Sequence, residues 1–411
     1  MQPALDYKLT ELKDRRKCIP GPEPKLKGEK FDKVLGKKVR PLKSTSIIPV
    51  CEPALSIKAE EYVLRALRTN WISSRGKFLE KFENLFAKKV GAKYAVAVNS
   101  GTSALHLSLA TLGIKPGDEV IIPTYTMVST AFAVSYMGAK PILVDSDEYY
   151  QINPDLIDSV VTNKTKAIMP VHIYGHPVDM DKIETIARKH NLNIIYDAAE
   201  AHGSEYKNKP IGGRGLASCY SFYANKVITT GEGGMITSNN KKFIDLARNL
   251  KDVAFSKERH FWHKRLGYNF RMTNLTAAVG LAQTENYEKL VMQRIKNAKY
   301  YMQQLAKVKG IKFPRTAKWA KNVYWMFGFE VLPEFGITRD NLRKFMAEHG
   351  VETRTYFVPM HLQPYYYQEN KGKVFPISEK FSATGLYIPS ASHLSKKEAD
   401  KVIRVIKKAA G

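Results

Sequence analysis

Across residues 94–196 the chain alternates short apolar runs with segments of helical length, and this rhythm constrains the fold more than any other feature. Residues 94–99, 119–123, 141–145, 167–172 and 193–196 read as strands. Residues 103–112, 127–137, 154–161 and 179–190, which lie between them, read as helices. Strands buried on both faces are apolar throughout, and strands joined by crossover helices run parallel. The pattern predicts an α/β fold with a mainly parallel central sheet covered by helices on both faces. Ligands on such sheets bind beyond the carboxyl ends of the strands, so side chains there are the first candidates for a functional site.

Two helical patterns, 57–68 and 77–90, precede this region and are joined by Trp71-Ile72-Ser73-Ser74-Arg75-Gly76. Strands at 218–223 and 234–238 follow it, then a helix at 241–250, a basic loop at 257–264 and an interrupted helical stretch at 273–307. Beyond Gly310, strands at 325–332 and 351–358 mix with helices at 338–349 and 396–408, as in a small α+β domain. With 411 residues the chain is long enough for two such units. The expected division is a flexible basic extension over 1–45, a large cofactor-binding domain over 46–309 and a small C-terminal domain over 310–411.

The extension carries 13 Lys/Arg against 6 Asp/Glu, and the whole chain has a net charge of +26. Such an excess attracts polyanions or phosphorylated small molecules, or simply forms a solvated basic surface. Cys18, Cys51 and Cys219 are far apart and odd in number, which fits a reducing, cytoplasmic setting and excludes a disulfide framework. The amino-terminal residues contain no apolar run of the secretory type. Residues 120–139 are uncharged over about the length of a membrane span. Pro123, Gly138 and five Ser/Thr side chains make them a strand, a turn and a helix instead, so no membrane span is expected.

Three stretches gather chemistry at strand ends. Asn99-Ser100-Gly101-Thr102-Ser103 lies where a strand gives way to a helix, and free amides, the helix dipole and two hydroxyls there suit an anion. An ordinary helix cap has the same composition. Asp197 ends a buried run; a carboxylate there can pair with the ring nitrogen of a pyridine cofactor, cap a helix or bind a metal. Lys226 lies between a strand and a glycine-rich turn. Among apolar neighbours its ammonium is disfavoured, and the neutral amine condenses with a carbonyl to give a Schiff base. Taken together, the anion turn, the carboxylate and the lysine match the demands of pyridoxal 5'-phosphate, with Lys226 as its carrier.

SGTSALHLSL, GDEVIIPTYT, VHIYGHPVDM, YDAAEAHGS, SFYANK, TTGEGGM and LGYNFRMTNL, in this order, resemble the DegT/DnrJ/EryC1/StrS sugar aminotransferases from about residue 47 to the C-terminus. The resemblance implies a fold-type I architecture in which Lys226 binds the cofactor and shuttles protons. It further implies that Asp197 meets the pyridine nitrogen, that Glu200 lies near the ring hydroxyl, and that Gly101, Thr102 and Ser221, with Ser103 beside them, hold the phosphate. Asn269 matches an asparagine that reaches a phosphate in the neighbouring subunit, which implies a homodimer with shared active sites. Met127 stands where relatives often place an aromatic ring over the cofactor, and Tyr125 is the alternative. Trp71, Ser73, Arg354 and His361 fall in stretches that resemble the lining of the sugar pocket.

NWISSRGKF, FYANK and YNFRMTNL, with Pro359-Met360-His361, are most similar to the branch acting on GDP-linked sugars. The implied reaction moves an amino group from L-glutamate to C4 of a nucleotide-linked 4-keto-6-deoxyhexose. Amination at C3, a UDP- or dTDP-linked substrate, or a polyanion-binding protein on the same scaffold are the alternatives. Related 3-dehydratases replace the lysine by histidine, so Lys226 favours transamination. Nucleic acid is not an expected partner, because a binding module has no use for Lys226, Asp197 and a phosphate turn together.

Overall fold

A computed structural model describes residues 47–411 apart from Lys257 and His260. The expected extension over 1–45 and Cys18 lie outside the described residues. The central sheet has seven strands: β1 Tyr94–Val98, β2 Glu119–Pro123, β3 Lys140–Val144, β4 Thr165–Ile168, β5 Asn193–Asp197, β6 Ala217–Ser221 and β7 Gly234–Ser238. Their order is β1-β7-β6-β5-β4-β2-β3. From β6 to β3 every neighbouring pair is parallel, whereas β7 runs antiparallel to both β1 and β6.

Eight helices accompany this sheet: α1 Ile57–Arg68, α2 Lys77–Lys89, α3 Gly101–Leu112, α4 Val128–Tyr136, α5 Met180–Lys189, α6 Lys241–Leu250, α7 Asn274–Glu285 and α8 Tyr287–Leu305. Adjacent residues of one strand point to opposite faces. Val120 and Ile122 of β2, with Ile195 of β5 and Ile236 of β7, pack with side chains of α3, α4 and α6. Ile121, Ile194 and Tyr196 pack on the other face with side chains of α2, α5, α7 and α8. Burial on both faces explains the unbroken apolar runs. Residues 120–139 are indeed β2, a turn and α4, and among the described residues no helix is long and apolar enough to cross a membrane.

A second sheet is antiparallel throughout, with β8 Ile311–Lys312, β9 Phe327–Val331, β10 Arg354–Thr355 and β11 Gly385–Ile388 in the order β8-β9-β11-β10. Helices α9 Arg339–Glu348, α10 Pro364–Asn370, α11 Pro376–Thr384 and α12 Lys396–Ala409 complete this part. The first described residues cross over to it, with Ile48 N–H bonded to Gly350 O at 2.9 Å and Ser390 N–H to Val50 O at 3.1 Å.

Three local expectations are corrected. Residues 154–161 form two short 3₁₀ turns, Pro154–Leu156 and Asp158–Val160, rather than one helix. The β-branched pair Val160-Val161 disfavours a continuing helix, and Val161 is already extended. Of 351–358, only Arg354–Thr355 enters the ladder, because Val351 instead bridges Ile48. The strand β11 had no counterpart in the sequence reading; four residues are too few to reveal a period.

Candidate active site

The Lys226 loop is a closed excursion between β6 and β7. Phe222 N–H bonds Gly233 O at 2.8 Å and Thr230 N–H bonds Phe222 O at 2.9 Å. Gly231 turns the chain at φ +83°, where a side chain would be strained. The Lys226 side chain is 10% exposed, its Nζ 3.9 Å from Glu200 Oε1 and 3.6 Å from the centre of the Trp325 ring. Burial pulls its ammonium below the ordinary lysine range, while the charges of Glu200 and Asp197 act in the opposite sense.

Asp197 closes β5 and is buried. Its Oδ2 accepts from Thr130 Oγ1 at 2.7 Å and its Oδ1 from Ala199 N–H at 3.0 Å. Burial raises its carboxyl, and these two bonds work against that by favouring the ionised form. Glu200 lies three residues on, its Oε2 accepting Tyr174 N–H at 2.7 Å. Tyr174 holds a left-handed conformation, φ 52°, a strained choice for an aromatic residue. Burial raises the Glu200 carboxyl, and the Lys226 amine lowers it.

The anion cradle is built where α3 begins. Ser100 caps the helix, its Oγ accepting Ser103 N–H at 3.0 Å. The Ser103 hydroxyl pairs with Ser100 Oγ at 2.9 Å, so it is used inside the cap. Gly101 and Thr102 occupy the first two helical positions, whose amides have no intrahelical acceptor. Thr102 Oγ1 donates to Ser129 Oγ at 3.0 Å. A Cβ on Gly101 would sit 2.7 Å from Ser221 Cβ, and one on Gly234 2.2 Å from Ser100 O. The start of α3, the end of β6 and the start of β7 therefore touch at backbone distance. Free amides, the hydroxyls of Thr102 and Ser221 and a helix N-terminus together suit a phosphate.

The remaining predicted residues lie further out. Met127 precedes α4 and is exposed. Tyr125 is fully buried, its hydroxyl bonded to that of Tyr174 at 2.9 Å. His361 is also buried, with Nδ1 paired to Thr124 Oγ1 at 2.8 Å and Nε2 to Glu379 Oε1 at 3.1 Å, so it links the end of β2 to α11. Arg354 is exposed and paired with Glu352 at 3.0 Å. Trp71 and Ser73 are exposed, and their carbonyls accept from Asn274 Nδ2 at 2.7 Å and Asn274 N–H at 2.6 Å. Asn269 is exposed on a segment that runs beside the end of β1, where Asn99 N–H bonds Phe270 O at 3.1 Å. In the basic loop, Lys264 pairs with Glu258 at 2.6 Å, as a solvated surface would.

The structure thus brings Lys226, Asp197, Glu200, Gly101, Thr102 and Ser221 to one end of the sheet. It adds Thr130, Tyr174 and Trp325, which sequence reasoning missed. A hydroxyl one helical turn inside α4 and a tyrosine before a glycine carry no local signature of their roles.

The family model described as DegT/DnrJ/EryC1/StrS aminotransferase matches residues 54–407. GDP-perosamine synthase of Escherichia coli O157:H7 is 42% identical over 352 residues, which cover 85% of this chain and 95% of that protein. The crystal structure of S. venezuelae DesV superposes with a TM-score of 0.81 at 34% identity, covering 86% of this chain and 94% of that one. The PLP form of the sugar aminotransferase Spr1654 from Streptococcus pneumoniae gives a TM-score of 0.82 at 25% identity, covering 89% and 98%. Six site groups at one end of a mainly parallel sheet, a family model spanning nearly the whole described chain and these relatives lead to one conclusion: the chain belongs to the DegT/DnrJ/EryC1/StrS aminotransferase family.

Proposed function

We propose that this aminotransferase uses pyridoxal 5'-phosphate carried by Lys226 to move an amino group from L-glutamate to C4 of a GDP-linked 4-keto-6-deoxyhexose. The observation that carries the reading is a buried amine beside two buried carboxyls, with an anion cradle at the same end of the sheet. These groups fit the cofactor. Gly101 and Gly234 let the start of α3, the end of β6 and the start of β7 meet at backbone distance, which brings the Ser221 and Thr102 side chains to the free amides of α3. Asp197, held by Thr130 and Ala199, offers an anion to a protonated pyridine nitrogen, and Glu200 faces the amine. When bound, the cofactor supplies the electron sink that makes the substrate carbon acidic.

Within that frame the chain's residues divide the work. Lys226 Nζ, whose ammonium form burial disfavours and the Glu200 and Asp197 charges favour, takes and returns the proton at the substrate carbon. Asp197 would hold a protonated ring nitrogen. Thr102 and Ser221, with the Gly101 amide, hold the phosphate; Ser103 supports them through the cap. Met127 offers a thioether to the ring face. Trp71, Ser73 and Arg354 serve the sugar substrate, and His361, held between Thr124 and Glu379, joins them. The exposed Asn269 serves the phosphate of a second subunit, making the working unit a homodimer. The odd, widely spaced cysteines support a cytoplasmic setting for the reaction.

The nucleotide follows the name of the GDP-perosamine synthase relative, and the carbon follows the resemblance of the sequence motifs. A panel of GDP-, UDP- and dTDP-linked keto-sugars incubated with glutamate, with the product read by NMR, tests both. A C4 amine on the GDP-linked sugar is expected. Amination at C3, or turnover confined to UDP- or dTDP-linked sugars, would contradict the assignment.

A further inference from the structure

The carbonyl of Asn225, the residue before Lys226, receives three donors: Trp325 Nε1 at 2.9 Å, Cys51 Sγ at 3.3 Å and Arg294 Nη2 at 3.4 Å. They come from the residues just before β9, the segment before α1, and α8. Arg294 is itself 2% exposed. Its Nε donates to Ser392 Oγ at 3.0 Å, its Nη1 to Trp325 O at 2.9 Å and its Nη2 also to Cys51 Sγ at 3.2 Å. Among the described residues these bonds include no carboxylate. A buried guanidinium without a counter-ion is costly to keep. Here all of its directed bonding goes to the frame around one loop.

Trp325 is held on three sides. Its indole N–H is on Asn225, its carbonyl is on Arg294, and its backbone amide donates to Tyr174 O at 2.9 Å. The ring face left over carries Lys226 Nζ, 3.6 Å from its centre. The other charged or titratable groups acting on that amine are Glu200, at 3.9 Å, Asp197 and the Cys51 thiol. His202 lies close enough to feel the same charge.

We infer that Trp325 is the seat of the Lys226 amine whenever that amine is not bonded to cofactor, and that Arg294 is the positioning residue locking seat and loop together. The inference rests on Lys226 being the cofactor lysine. A lysine released once per cycle is a flexible four-carbon arm that needs a fixed place from which to move protons. The indole face provides that place and sustains the ammonium form.

The test uses the full-length chain freed of cofactor. The rate at which trinitrobenzenesulfonate modifies Lys226, read on its peptide by mass spectrometry, gives the titration midpoint of the amine. Trp325→Leu and the unbranched, more adaptable Trp325→Met are expected to lower that midpoint by about one pH unit, and either variant suffices. Trp325→Phe keeps a ring face and is expected to restore most of the shift. An unchanged midpoint without the ring, or a Phe variant as low as the Leu variant, overturns the seat. Arg294→Lys keeps the charge but loses the planar fork. It is expected to lower kcat in the loaded enzyme with the sugar KM unchanged, and a change in KM alone overturns the positioning role. The modification assay contains no cofactor, so its result is separate from whether Lys226 carries one.

Discussion

At Gly101 the chain has no room for a methyl group. The Cβ of alanine would lie 2.7 Å from Ser221 Cβ, and both residues belong to structure that cannot yield cheaply, one at a helix start and one at the end of a central strand. Overpacking of this kind costs about 1–3 kcal/mol. Gly101→Ala is therefore expected to weaken cofactor binding by about ten-fold to a hundred-fold, measured by titrating the apoprotein and following its absorbance. Asp197→Asn removes the anion offered to the ring nitrogen while keeping the shape. Its kcat should fall by about 10²–10³-fold with the cofactor still bound, as single half-reactions in a stopped-flow instrument would show. Lys226, Asp197 and Gly101 were legible in the sequence through their combination and order beside successive strands, since each alone has an ordinary structural explanation. Trp325 and Arg294 were not, since their roles exist only once α8 and the second sheet close on the Lys226 loop.

Among the elements, α2 shows how remote residues set a local boundary. Gly76, at its N-terminal end, provides no capping side chain. Asn274, at the start of α7, does the capping from afar: its Oδ1 accepts Phe78 N–H at 3.0 Å and Leu79 N–H at 3.2 Å, while its Nδ2 donates to Trp71 O. The same residue thus fixes the loop, Trp71 through its side chain and Ser73 through its backbone N–H. Asn274→Ala is expected to cost about 2–4 kcal/mol in denaturant unfolding, since it leaves several backbone groups unpaired, and to raise the KM of the sugar substrate more than that of glutamate. Nothing near Gly76 in the sequence announces this cap. The parallel strands were plain because burial on both faces leaves an unbroken apolar run. Strand β7 was recognisable as a strand, but its antiparallel direction follows from the Lys226 loop folding back on β6, which no periodicity records.

For the molecule as a whole, acid stability carries the mark of its buried histidines. His202 packs among Phe86, Tyr220 and Phe222, and burial pushes its imidazolium down to about 3. The folded protein refuses a proton that the unfolded chain takes up below about pH 6.5. Stability is therefore lost through this group as the pH falls from about 6.5 towards 3. His202→Phe removes the linkage without opening a cavity. Between pH 7 and pH 5 the variant should lose about 2 kcal/mol less than the parent, read by urea unfolding at each pH. Equal losses would show that His202 is protonated in the native state. At this scale the seven-stranded sheet was foreshadowed by the alternation of its elements, but the return of residues 48–50 to the second sheet was not, because it is a contact across some three hundred residues.

The central claim, that Lys226 carries the cofactor, is tested most directly by reducing the pyridoxal-phosphate-loaded protein with borohydride and mapping the modified peptide by mass spectrometry. The account predicts one cofactor-derived mass per chain, on Lys226, and none in Lys226→Ala, which should also lack turnover. A label on another lysine, or retained multiple turnover in Lys226→Ala, would contradict it.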